Sequence, residues 1–242
     1  MNIRSDSDAI LECEDQAGYC VVPDVIGPEH ADAARQALAA LECRRLGETI
    51  CSTRNVMTKH TMLRDLVRHP GVLELRQRLL GADMVCSSCT AITLLPGHDG
   101  MAWHVDYPYW SIQPPYPTWD LAAYALWMLD DFTIDNGATG IIPNSHRRAF
   151  PPQFARDHWP ADAVVAVGRK GSVLLAKGPY WHTARPNPTA VPRSAVMVSY
   201  LRAFCIPHTD MQRQLRKLHD PSASERTLFG MEQFVPRNED EP

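Results

Sequence analysis

Residues 84–95 read MVCSSCTAITLL, a short apolar and β-branched run that stops at the Pro-Gly pair 96–97. A run of this length bounded by turn residues predicts a strand rather than a helix. The texture recurs downstream in LAAYALWMLDDF (121–132), ATGIIP (138–143), AVVAV (163–167), GSVLLA (171–176) and SAVMVSYLRAF (194–204). Turn signals separate these runs: DNG at 135–137, GRKG at 168–171 and KGP at 177–179. Many short strands with closely spaced turns predict a sandwich or barrel. Outward from this core the pattern changes. PEHADAARQALAALECRRL (28–46) carries a proline where a first helical turn tolerates one, and Ala33, Ala37, Leu38 and Leu41 keep one face. PGVLELRQRLLG (70–81) predicts a second helix that ends at Gly81. GYCVVPDV (18–25) predicts a short strand, and MQRQLRKL (211–218) a helical tail. The expected fold is mainly β with flanking helices. It forms one domain over 1–242, with a β core at about 84–206, a helical part at about 18–82 and a helical tail at about 207–242.

Composition narrows the function classes. The chain has 242 residues, 45% of them hydrophobic and 21% charged, enough to bury a core without metal or disulfide staples. Its formal net charge of −4 argues against a nucleic-acid partner, which calls for clustered positive charge. No run approaches the roughly 18 apolar residues that span a bilayer. The N-terminal segment MNIRSDSDAILECEDQ is polar and has no apolar signal core. Seven cysteines, an odd number, argue against a disulfide framework and predict reduced thiols in a cytoplasmic protein.

The chemistry begins at Trp103-His104-Val105-Asp106. On a strand, residues two apart share a face, so His104 and Asp106 aim at one point. An imidazole and a carboxylate so placed are two of the three ligands of a facial triad, which binds Fe(II) and leaves other positions open. Alone, His-x-Asp is a weak signal. His182 follows the strand 171–176 and the turn KGPYW, where it can face His104 across a barrel. Eleven residues on, Arg193 opens the strand 194–204, placed to pair in bidentate fashion with a dicarboxylate.

His-x-Asp, a distal histidine and a following arginine together resemble the phytanoyl-CoA dioxygenase family of Fe(II)/2-oxoglutarate oxygenases. Three segments add to the likeness: GYCVVPDVIGPEHADAARQAL (18–38), TLLPGHDGMAWHVD (93–106) and DNGATGIIPNSHR (135–147). The similarity covers roughly residues 18–205. It implies a double-stranded β-helix, a cupin-like jelly roll with helices packed outside. It also implies iron ligands at His104, Asp106 and His182, with Arg193 holding the far carboxylate of 2-oxoglutarate. By the same resemblance Thr93 and Trp127 fall where relatives place co-substrate contacts. A buried threonine and a core tryptophan stay open as alternatives for these two.

The implied cofactors are Fe(II), 2-oxoglutarate as co-substrate and O2, with decarboxylation to succinate. Relatives often carry serine two residues after the distal histidine as a further co-substrate contact. Here that position is Ala184, beside Thr183, so the contact is absent or moved. Halogenating relatives replace the carboxylate ligand with a small residue. Asp106 is retained, which favours hydroxylation or a related oxidation.

The segment WHVDYPYWSIQPPYPTW (103–119) is dense in aromatics and prolines and predicts a semi-rigid loop over the pocket mouth, or a core-packing loop. Tyr107, Tyr109 and Trp110 are its expected substrate contacts. The expected substrate is a small, largely apolar or ring-bearing molecule such as a secondary metabolite, since no basic cluster invites a CoA phosphate. Two readings of another class stay open: a cupin-like metalloenzyme using the triad without 2-oxoglutarate, and a binding protein with a relict site. Arg193 and its spacing speak against the first, and the retention of all three ligands with the arginine against the second.

Overall fold

The computed structural model describes residues 2–218 and 221–231. In chain order its elements are α1 (Ser7–Ala17), β1 (Tyr19–Val22), α2 (Pro28–Ala39), β2 (Arg44–Leu46), β3 (Ile50–Arg54), α3 (Thr61–Val67), α4 (Pro70–Leu80) and β4 (Val85–Leu94). There follow β5 (Ala122–Met128), β6 (Thr139–Ile141), β7 (Val164–Ala166), β8 (Val173–Lys177), β9 (His182–Ala184), β10 (Arg193–Leu201), α5 (Met211–Leu215) and α6 (Ala223–Leu228). Two antiparallel sheets face each other as an open jelly roll. The larger has the order β1-β8-β5-β10-β4-β3-β2, and the smaller the order β7-β6-β9.

Strand parity divides the core. On β10, Val196, Val198 and Tyr200 join an apolar layer with Leu63, Leu66, Val72 and Leu75 of the helices. Ala195 and Leu201, on the other face, join Leu126, Tyr180 and Ile141 between the sheets. A strand covered on both faces loses the apolar–polar alternation of a half-exposed one. All seven residues of β5 are accordingly buried. Under the helices, Arg76 of α4 is fully buried and pairs with Glu14 of α1; its Nη1 also donates to the carbonyl of Ala176 at 3.2 Å.

The first helix expected over 28–46 stops at Ala39. Residues 44–46 instead pair with 50–52 in a hairpin that extends the large sheet. That hairpin overturns the expectation of uniformly reduced thiols. It carries Cys43 to 5.5 Å from Cys51, Cα to Cα, and the two are disulfide-bonded. The other five cysteines form no disulfide. The helical tail begins as expected at Met211; the part of it beyond residue 231 lies outside the described residues. No helix among the described residues is long and apolar enough to cross a membrane.

Candidate metal centre

His104 and His182 form an isolated antiparallel bridge at the edge of the small sheet. The His104 N–H donates to the His182 carbonyl at 3.0 Å, and the reverse bond is 3.1 Å. Directly opposed residues project to one face, so the two rings meet at 4.2 Å between centroids. Asp106 returns to that face two residues after His104. Its Oδ2 lies 3.4 Å from His182 Nε2 and its Oδ1 3.9 Å from His104 Nε2. One ligand atom from each of the three residues falls within 4.8 Å of the others.

Each imidazole is oriented from behind. His104 Nδ1 donates to the Ala102 carbonyl at 2.9 Å, and His182 Nδ1 to the Tyr180 carbonyl at 3.3 Å. A carbonyl only accepts, so the proton sits on Nδ1 and Nε2 presents its lone pair to the site. The Tyr180 ring stacks on His182 at 4.3 Å. Burial, with His104 adding to it, pushes His182 down to about 4, which keeps it neutral and able to ligate. His104 and Asp106 remain partly exposed, so the centre opens to solvent on one side.

Arg193, paired with Leu94 across β4, projects from the same inner face as Ala195. It is buried, lies over the Phe132 ring at 4.3 Å, and donates through Nη2 to the Gly137 carbonyl. Its Nε has no partner, and it makes no ion pair with any described residue. Burial lowers its pKa to about 9, opposed by Asp130, so it stays cationic at neutral pH. A buried cation with no ion pair of its own is a seat for an anion.

Two expected co-substrate contacts are not brought to the site. Trp127 belongs to the helix-facing layer, with its ring edge-on to His69 at 5.3 Å. Thr93 has the parity of Ala91 and Cys89 in that layer, and its hydroxyl is 2.9 Å from Ser194 Oγ. Both side chains lie on the face turned away from the metal ligands, because a strand reverses its side chains every residue.

The aromatic segment divides as well. Tyr109 is fully buried, and its hydroxyl accepts the Leu121 N–H at 2.8 Å, so it is a core residue and not a substrate contact. Tyr107 and Trp110, which follow Asp106 closely in the chain, both meet the His208 ring. Tyr180, stacked on His182, is a site residue that sequence reasoning missed, although lying two residues before His182 it had a signal.

Two facing sheets that hold a His-x-Asp and a distal histidine between them define a jelly-roll metalloprotein of the facial-triad class. The phytanoyl-CoA dioxygenase (PhyH) family matches residues 15–195, and the chain belongs to that family. Among curated relatives, dioxygenase af480 of Aspergillus fumigatus is 32% identical over 58% of this chain and 44% of its own length. The chain spans about half the length of the fungal dioxygenases that head its curated relatives. Among solved structures, HygX of Streptomyces hygroscopicus, described with nickel and 2-oxoglutarate bound, superposes with a TM-score of 0.69 at 18% identity, covering 82% of this chain and 88% of that one. SnoK, described as a non-heme alpha ketoglutarate dependent carbocyclase from nogalamycin biosynthesis, superposes at 0.69 with 22% identity, covering 90% and 93%.

Proposed function

We propose that this chain is an Fe(II)/2-oxoglutarate-dependent oxygenase that hydroxylates a small organic molecule of the secondary-metabolite kind. The observation that carries the reading is Arg193, a buried cation that faces the interior between the sheets and makes no ion pair with any described residue. The donor set fits ferrous iron: two neutral imidazoles and one carboxylate, with the remaining positions open. HygX, solved with 2-oxoglutarate, supports the assignment of the co-substrate. Bound there, Fe(II) with 2-oxoglutarate and O2 supplies the oxidising chemistry, and 2-oxoglutarate leaves as succinate and CO2.

The protein's own work is position and dryness. His104, Asp106 and His182 hold the metal on one face, and Arg193 takes the far carboxylate of the co-substrate. Tyr180 and Tyr124, with rings 5.5 Å apart, wall the side behind His182 against water. On the inner face of β10 and β4, Thr90, Ile92 and Met197 stay partly exposed. Tyr107, Trp110 and His208 form an aromatic cluster that starts next to Asp106 in the chain, which supports a ring-bearing substrate. Retention of Asp106 supports hydroxylation over halogenation. The carbocyclase description of SnoK makes product structure the decisive readout.

The test is turnover by anaerobically purified protein supplied with Fe(II), 2-oxoglutarate and O2, with succinate measured with and without a metabolite library. His104→Ala is expected to abolish metal binding, and Arg193→Ala to weaken 2-oxoglutarate chiefly. Absence of succinate under every condition, together with no 2-oxoglutarate binding by calorimetry, would sink the reading.

A further inference from the structure

Each imidazole of the metal centre is oriented by a carbonyl behind it, but the carboxylate is not. Apart from the histidines it faces, the Asp106 side chain has no hydrogen-bonding partner among the described residues. The strand ladder also gives out before it: His104 is bridged to His182, and Asp106 is unpaired. Its aim is therefore set by the backbone on either side. The Asp106 carbonyl accepts the Tyr109 N–H at 2.9 Å, which turns the chain away from the site. The peptide inside that turn is caught from the opposite sheet. The Tyr124 hydroxyl of β5 donates to the Tyr107 carbonyl at 3.0 Å.

The register of β5 explains how Tyr124 reaches so far. It shares the inner face with Leu126 and Met128. Its direct partners across the ladder are Ser199 of β10 and Ala176 of β8, both small, so its ring has room to extend between the sheets. The side chain is 1% exposed. Burial above all, with the Asp106 charge adding to it, pushes the phenol up, so the hydroxyl keeps its proton and donates. The same ring lies 5.5 Å from that of Tyr180, which stacks on His182 at 4.3 Å. One residue of the large sheet thus braces both segments that carry the ligands. Tyr109 offers the contrast: equally buried and close by in the chain, it spends its hydroxyl on the Leu121 N–H and not on the ligand segment.

We propose that Tyr124 is the positioning residue of the carboxylate ligand. By holding the Tyr107 carbonyl it fixes the peptide that follows Asp106, and so aims the carboxylate at the point where the two imidazoles converge. The assignment rests on the metal-centre reading above and adds an outer partner for the one ligand that lacks its own.

The experiment titrates Ni(II) and Co(II) into metal-free protein, followed by calorimetry and by the visible absorption of bound Co(II). Tyr124→Phe keeps the ring and its contact with Tyr180 and removes only the hydroxyl. It is expected to weaken both ions by about 10- to 100-fold, the usual cost of losing an outer partner of a metal ligand, and to alter the Co(II) spectrum. Tyr109→Phe removes a hydroxyl of equal burial; it should lower the urea midpoint yet keep wild-type metal affinity and spectrum. Tyr124→4-aminophenylalanine, which returns an N–H donor to the same ring, should recover most of the loss. A folded Tyr124→Phe that binds metal like wild type overturns the proposal, as does an equal loss of affinity in Tyr109→Phe. Should Tyr124→Phe fail to fold, the 4-aminophenylalanine variant decides: affinity and spectrum near wild type support the role, and a 10-fold or greater loss overturns it. Wild-type protein that binds neither ion overturns the metal centre itself, and the proposal with it.

Discussion

Trp127 and Arg193 stand on adjacent strands of one sheet, and parity sends them to opposite faces. Trp127 is paired with Val196 and belongs with it under the helices, whereas Arg193 belongs with Ala195 and Met197 on the inner face. The difference is measurable. Arg193→Met should weaken 2-oxoglutarate by about 10- to 100-fold, since a charge-assisted contact is lost. Trp127→Phe should cost roughly 1–3 kcal/mol of stability through the cavity it leaves, with co-substrate affinity unchanged. Calorimetry and urea unfolding of the two variants check this; a loss of affinity in Trp127→Phe equal to that in Arg193→Met would show the two faces to be wrongly assigned. The metal ligands were legible in sequence because His-x-Asp states its own geometry: two residues apart on extended backbone is one face. Thr93 and Trp127 were not, because their motif positions say nothing of parity, and parity depends on register with neighbouring strands.

Helix α1 shows what an element gains from its partners. Its amphipathic pattern is no weaker than that of α2 or α4, yet it was not expected from sequence. It is anchored by Glu14, which pairs with the fully buried Arg76 of α4 above the β5 and β8 carbonyls. Removing one member of a buried pair leaves an uncompensated charge, so Glu14→Ala should cost about 3–5 kcal/mol. Urea unfolding checks it, and a loss below about 1 kcal/mol would mean that Arg76 is satisfied by the carbonyls alone. Strand legibility divides by the same logic. The long strands β4, β5 and β10 announce themselves because both faces are largely covered and apolar or small residues run along them with Arg193 as the one charge. The β2–β3 hairpin does not, because all three residues of β2 are exposed and leave no periodicity to detect.

At the scale of the whole molecule, packing two sheets and a helical layer encloses histidines that water would otherwise protonate. Burial holds His69, His98, His146 and His182 below the ordinary histidine range. The unfolded chain binds protons at these groups near pH 6.5, while the folded chain resists doing so until lower pH. Unfolding therefore takes up protons in that window, and stability rises with pH across it. The metal-free protein should accordingly show a lower urea midpoint at pH 5 than at pH 7. A midpoint that is level or higher at pH 5 would contradict the burial of these rings. The sequence by itself determined the β-rich core, the helices at 28 and 70, and a triad with a following arginine, because each is encoded by local periodicity or by spacing along one strand. Only the tertiary structure decided which strand faces look inward, that Cys43 meets Cys51, and that Tyr109 is core. Those facts are set by cross-strand register and by the stacking of the sheets, which bring together residues far apart in the chain.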